Sequence, residues 1–139
     1  MRVLVMGSGG VGGYYGARLA QHGHDVTFVA RGAHLAALQR DGLELRTGGA
    51  ILRLRPAHAI GTPSEAHGPF ELVLFTVKTY DTAAAAEALR PAVTDATAVL
   101  PLQNGVESVE RRRASRSGSA RGRPRPACAR SRRRWRGRA

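Results

Sequence analysis

The sequence predicts an α/β fold, a doubly wound and mainly parallel sheet followed by a disordered, basic C-terminal tail. Two observations carry the sheet. Short runs that are almost wholly apolar, RVLVM at residues 2–6, VTFVA at 26–30 and LVLFTV at 72–77, are spaced by helical patterns. A strand that is apolar on both sides belongs in a parallel sheet covered on both faces. The second observation is a cluster of five glycines within residues 7–13, between the first run and the first helix. A third observation carries the tail. Residues 111–139 hold thirteen arginines, no acid and no Leu, Ile, Val or Phe, so they cannot bury a core.

The elements follow in order. Residues 2–6 form the first buried strand. The glycines interrupt it and discourage a helix until Tyr14, Ala17, Leu19 and Ala20 supply an apolar helical face, which ends at Gly23. Residues 26–30 form the second strand, closed by Arg31. Residues 32–40 form a short helix with Leu35 and Leu38 on one face and Gly42 as its stop. Residues 43–46 and 51–55 alternate apolar and polar around Thr47-Gly48-Gly49-Ala50, the pattern of a half-buried hairpin. Residues 60–69 read as loop, 72–77 as the third strand and 79–93 as an alanine-rich helix. Residues 97–103 are the last strand, with Pro101 expected near its end or at a bend. Asn104-Gly105 is a turn signal, and residues 107–113 begin another helix.

At 139 residues the chain accommodates one cored domain and not two. The net charge of +12 resolves into two unlike parts. Residues 1–110 carry all ten acidic groups against eight arginines and Lys78, whereas 111–139 carry thirteen arginines alone. The globular part is therefore near neutral and needs no polyanionic partner. The lone cysteine, Cys128, excludes a disulfide framework or a cysteine zinc site, and the five histidines show no paired ligand spacing, so no metal is expected. No apolar run approaches a membrane span, and the apolar stretch at residues 3–6 is too short for a signal peptide. The expectation is a soluble cytoplasmic protein.

In open parallel sheets ligands bind at the carboxyl ends of the strands, so the residues just after each strand matter most. Gly7-Ser8-Gly9-Gly10-Val11-Gly12 follows the first strand and opens the first helix. In such a βαβ unit Gly7 permits the tight turn, Gly9 lets the backbone approach a pyrophosphate, and Gly12 lets the helix pack on the strand. The helix N-terminus then meets the phosphates. This identifies a Rossmann-type dinucleotide-binding unit. Arg31 ends the second strand, where an NAD binder usually carries Asp or Glu for the ribose 2′-hydroxyl. Its planar fork suits a 2′-phosphate instead, which favours NADP. Lys78, the chain's only lysine, follows the third strand and reads equally as a cationic donor in the cleft or a snorkelling surface group. On composition alone Asn104 reads best as the first residue of an Asn-Gly turn. Asp81 reads as a helix first-turn carboxylate.

The opening MRVLVMGSGGVGGYYGARLAQHGHDVTFVARG, the later VKTYDT and the LQNGVE together resemble the N-terminal half of the ketopantoate reductases (2-dehydropantoate 2-reductases). The resemblance covers residues 1–110. It implies a two-domain NADPH-dependent reductase of a small-molecule 2-oxo acid, converting 2-dehydropantoate to pantoate on the route to pantothenate and coenzyme A. It assigns Arg31 to the 2′-phosphate and turns Lys78 and Asn104 toward the nicotinamide end, with Asn104 also near substrate. The family's general-acid lysine belongs to a second, helical domain with no counterpart here, so no catalytic residue is assigned.

Residues 1–110 are thus expected to be an NADP-binding domain, and 111–139 an arginine-rich tail. Three explanations of the tail are weighed: a nucleic-acid arm in which Trp135 stacks on a base, a solvated tail without partner, and a reading-frame shift. The frameshift is favoured, because every residue type in the tail has GC-rich codons and the break falls inside the helix expected after Val106. On this reading the chain binds NADP with little or no turnover, and no specific nucleic acid or membrane partner is expected. The alternatives are a reductase of another 2-oxo acid and a nucleic-acid-binding protein acting through the tail.

Overall fold

The computed structural model describes residues 1–103. Five strands, β1 (Arg2–Met6), β2 (Asp25–Val29), β5 (His58–Ile60), β6 (Leu72–Phe75) and β7 (Ala98–Pro101), form one sheet in the order β5-β2-β1-β6-β7. Every pairing in it is parallel. A separate antiparallel hairpin joins β3 (Leu43–Thr47) to β4 (Ala50–Leu54). The helices are α1 (Gly10–Gln21), α2 (Gly32–Asp41) and α3 (Thr82–Leu89). The expected Rossmann-type, doubly wound parallel sheet is what the chain adopts.

Because side chains alternate along a strand, β1 feeds two cores. Val3 and Val5 join Val26, Phe28, Leu38 and Leu74 on one face, covered by Leu19 and Ala20 of α1, Leu35 of α2, and Leu43 and Leu54 of the hairpin. Leu4 and Met6 join Val29, Ile60, Val73 and Phe75 on the other face, beneath Ala85 and Leu89 of α3. Val3, Leu4 and Val5 are fully buried, each contributing about 1.5–3 kcal/mol of apolar transfer. The nearly all-apolar character of RVLVM has this cause.

Several local expectations are corrected. The glycines do not delay α1, which begins at Gly10; its buried residues are Gly12, Gly13, Gly16 and Ala17. The helix approaches the sheet so closely that a Cβ on Gly16 would lie 2.5 Å from Phe28 Cε1. Contact with the sheet overrides helix propensity here. Tyr14, expected in the core, stands at the rim and meets Tyr15 edge-on at 5.2 Å. β5 falls partly in a segment read as loop; three residues are too few for a period, and it exists because β2 offers a free edge. The same segment holds a 3₁₀ turn at Pro63–Glu65.

The third strand stops at Phe75 instead of running to Val77, since Thr76 turns inward and donates to the Met6 and Gly7 carbonyls at 3.0 and 2.5 Å. The alanine-rich helix is shorter than expected, with 3₁₀ turns at Thr79–Asp81 and Arg90–Ala92 on either side of α3. Pro91 has no N–H to continue it. Other expectations stand. Pro101 ends β7, an edge strand of the described sheet. Gly42, at φ +78°, stops α2. The hairpin turns through Gly48 and Gly49, both with positive φ, as a two-residue turn of the I′ kind requires.

A buried hydroxyl ties the sheet's far end. Thr97 Oγ1 donates to the Phe70 carbonyl at 2.7 Å and accepts from the Thr94 N–H at 3.0 Å. Thr97→Val leaves both groups unpaired and is expected to cost about 1–3 kcal/mol, read as a lower urea midpoint with an unchanged slope.

Candidate functional site

The carboxyl ends of β1, β2 and β6 converge where the strand order reverses, the switch point of such sheets. A cavity of about 300 Å³ lies there. Gly7, Ser8 and Gly9 supply its floor from the β1 side, Arg31 and His34 its wall from the β2–α2 side, and Lys78, Tyr80 and Asp81 its wall from beyond β6.

The glycine turn is built by its neighbours. Gly7 takes φ +98°, the left-handed region where a side chain is strained, and a Cβ on it would lie 3.0 Å from the Val77 nitrogen. Ser8 is buried, with its N–H and Oγ both donating to the Val29 carbonyl at 3.2 and 3.1 Å. That pair of bonds sews the turn to the end of β2. Gly9 caps α1 in an extended conformation, and nothing lies within 4 Å of where its Cβ would be. Gly12 is the opposite case, because its Cβ would overlap the Gly7 carbonyl and lie 2.5 Å from Thr76 Oγ1. Gly9 therefore faces open space and Gly12 faces the fold.

The first turn of α1 carries no acidic side chain. Its leading N–H groups lack intrahelical partners and its dipole points positive end outward. Arg31 is exposed, caps α2 and forms no ion pair among the described residues. Lys78 Nζ lies 5.8 Å over the Tyr80 ring. Two cations thus face one carboxylate, Asp81, around a helix N-terminus, an arrangement that attracts an extended anion. The space above Gly9, the donors of α1 and Arg31 fit the phosphates of a dinucleotide.

Of the residues singled out from sequence, Gly7, Ser8, Gly9, Arg31 and Lys78 line this one cavity. Gly10 and Val11 stand in the first turn of α1, Val11 exposed, and Gly12 packs inward. Asn104 and the arginine-rich segment lie outside the described residues. Two residues outside the sequence motif also shape the site: His34, which meets the Ser8 carbonyl, and Thr76, whose hydroxyl holds the turn. The spacing of His34 three residues after Arg31, on a helix that starts between them, was the available signal.

The family model for ketopantoate reductase (PanE/ApbA) matches residues 3–121. The chain belongs to the ketopantoate reductase family. The match runs past Glu110 into the arginine-rich segment. A 2-dehydropantoate 2-reductase of Mesorhizobium japonicum is 36% identical over 107 residues, covering 76% of this chain and 32% of the relative. The crystal structure of a ketopantoate reductase from Ralstonia eutropha superimposes with a TM-score of 0.76 at 43% identity, covering 82% of this chain and 38% of that one. The 2-dehydropantoate 2-reductase from Geobacter metallireducens gives 0.77 at 33% identity, over 83% and 38%. This ketopantoate reductase family chain spans about a third of the length of the curated relatives it matches. Among its described residues no helix is long and apolar enough to cross a membrane.

Proposed function

We propose that this chain is the NADP-binding half of an NADPH-dependent 2-dehydropantoate 2-reductase that makes pantoate for pantothenate and coenzyme A synthesis in the cytoplasm. The observation that carries the reading is the meeting of the glycine turn, Arg31 and Lys78 around one cavity at the switch point. The open side of Gly9 and the donors of α1 would receive the pyrophosphate. Arg31 would hold the 2′-phosphate through its planar fork, with nothing else among the described residues competing for it. Lys78 and Asn104 take the nicotinamide end by family resemblance. When bound, NADPH supplies the hydride that reduces the substrate ketone.

A ketone reduced by hydride also needs a proton. By resemblance that donor is a lysine of the family's second domain, outside residues 1–110. The chain is expected to bind NADPH at about one site per chain. Saturable NADPH fluorescence is the supporting result, and absence of NADPH binding overturns it.

A further inference from the structure

His34 is a cavity residue that the proposed reading leaves without a task. It stands in the first turn of α2, three residues after Arg31, which caps that helix, and both line the cavity. Its Nε2 lies 2.8 Å from the Ser8 carbonyl oxygen. A carbonyl only accepts, so Nε2 carries the hydrogen. Nδ1 makes no hydrogen bond among the described residues. Ser8 is held from its other side by the Val29 carbonyl, so the ring leans on a fixed point.

An imidazole with Nε2 committed as donor has one chemical change left. A proton from solvent taken at Nδ1 turns an acceptor into a cationic donor. The charged groups around the cavity are Arg31 at the β2–α2 junction and Lys78 and Asp81 beyond β6; the glycine turn contributes none. A phosphate monoester beside Arg31 brings up to about two negative charges at neutral pH, and a nearby anion favours the protonated ring.

We infer that His34 is a second recognition residue for the 2′-phosphate: pinned on the Ser8 carbonyl, it takes up a proton as the phosphorylated dinucleotide binds. This rests on the reading of the cavity as an NADP site. Discrimination between NADPH and NADH is then set jointly by Arg31, at every pH, and by His34, most strongly in mild acid.

His34→Gln tests it, because the glutamine amide still donates to a carbonyl and cannot become a cation. NADPH and NADH are titrated by fluorescence into the full wild-type and variant chains at about pH 6 and about pH 8, either side of the range in which histidine changes charge. Comparing the two proteins at each pH cancels the titration of the phosphate itself. The variant is expected to bind NADPH about three- to tenfold more weakly at the lower pH, the range for a charged hydrogen bond at a partly exposed site. The deficit shrinks at the higher pH, NADH is unaffected at both, and the thermal unfolding curve is unchanged. An equal loss for both dinucleotides, or a loss independent of pH, means that His34 only braces the turn and overturns the inference. No change for either does the same. If the wild-type chain binds neither dinucleotide, the NADP reading itself falls, which is a distinct outcome.

Discussion

Gly12→Ala is expected to cost about 3 kcal/mol of stability, the upper end for overpacking a close-fitted site, whereas Gly9→Ala costs under about 1 kcal/mol. The added methyl at Gly12 would collide with the Gly7 carbonyl, Thr76 Oγ1 and Val5 Cγ1. Two of those atoms belong to the turn and to the hydroxyl that holds it, so neither yields cheaply. The methyl at Gly9 meets nothing within 4 Å, and the backbone there is extended with φ −71°, which alanine adopts freely. The same methyl occupies the space through which a pyrophosphate would approach, so Gly9→Ala is expected to bind NADPH at least about tenfold more weakly. Urea unfolding and fluorescence titration of both variants separate the two roles. A Gly9→Ala protein that binds like wild type would move the phosphate path away from this turn.

The second large effect is at Arg31. Arg31→Glu removes the charged donors facing a 2′-phosphate and puts a like charge in their place. Loss of charge-assisted hydrogen bonds of about 1.5–3 kcal/mol predicts NADPH affinity lowered by roughly a hundredfold. NADH is expected to bind as well or better, because a carboxylate at this position accepts from the ribose 2′-hydroxyl. Stability should stay within about 0.5 kcal/mol, as for surface changes generally, since Arg31 is exposed and has no ion pair among the described residues. Titration with the two dinucleotides reads the switch. Equal weakening of both would assign Arg31 to the common part of the molecule and remove the case for NADP.

Much of this was legible in the sequence where local composition and tertiary demand agree. Residues 3–6 (VLVM) have no polar face to offer solvent, so they could only be a central strand, and their position between β2 and β6 follows. Gly42 and the Gly48-Gly49 pair marked a helix stop and a hairpin turn because positive φ is cheap for glycine alone. What was not legible depends on partners distant in the chain. β5 has no signal of its own and is strand only because β2 has an edge to fill. The period of α1 puts Tyr14 in the core, but the positions that meet the sheet along this stretch are Gly12, Gly13, Gly16 and Ala17, and Tyr14 stands at the rim.

The sequence by itself determined the chemical inventory of the cavity: a glycine turn before a helix, an arginine in place of an acid, one lysine, and the family to which these belong. Only the tertiary structure decided which of them face the same space. Gly9 and Gly12 are three residues apart and look alike in the motif, yet one opens on the cavity and the other on Thr76, 64 positions further along the chain from Gly12. His34 belongs to no motif, and only the fold sets its ring against the Ser8 carbonyl. The physical reason is common to both cases. Local sequence sets what a residue can do, whereas the atoms within 4 Å of it arrive from strands whose neighbours are chosen by the burial of the whole sheet.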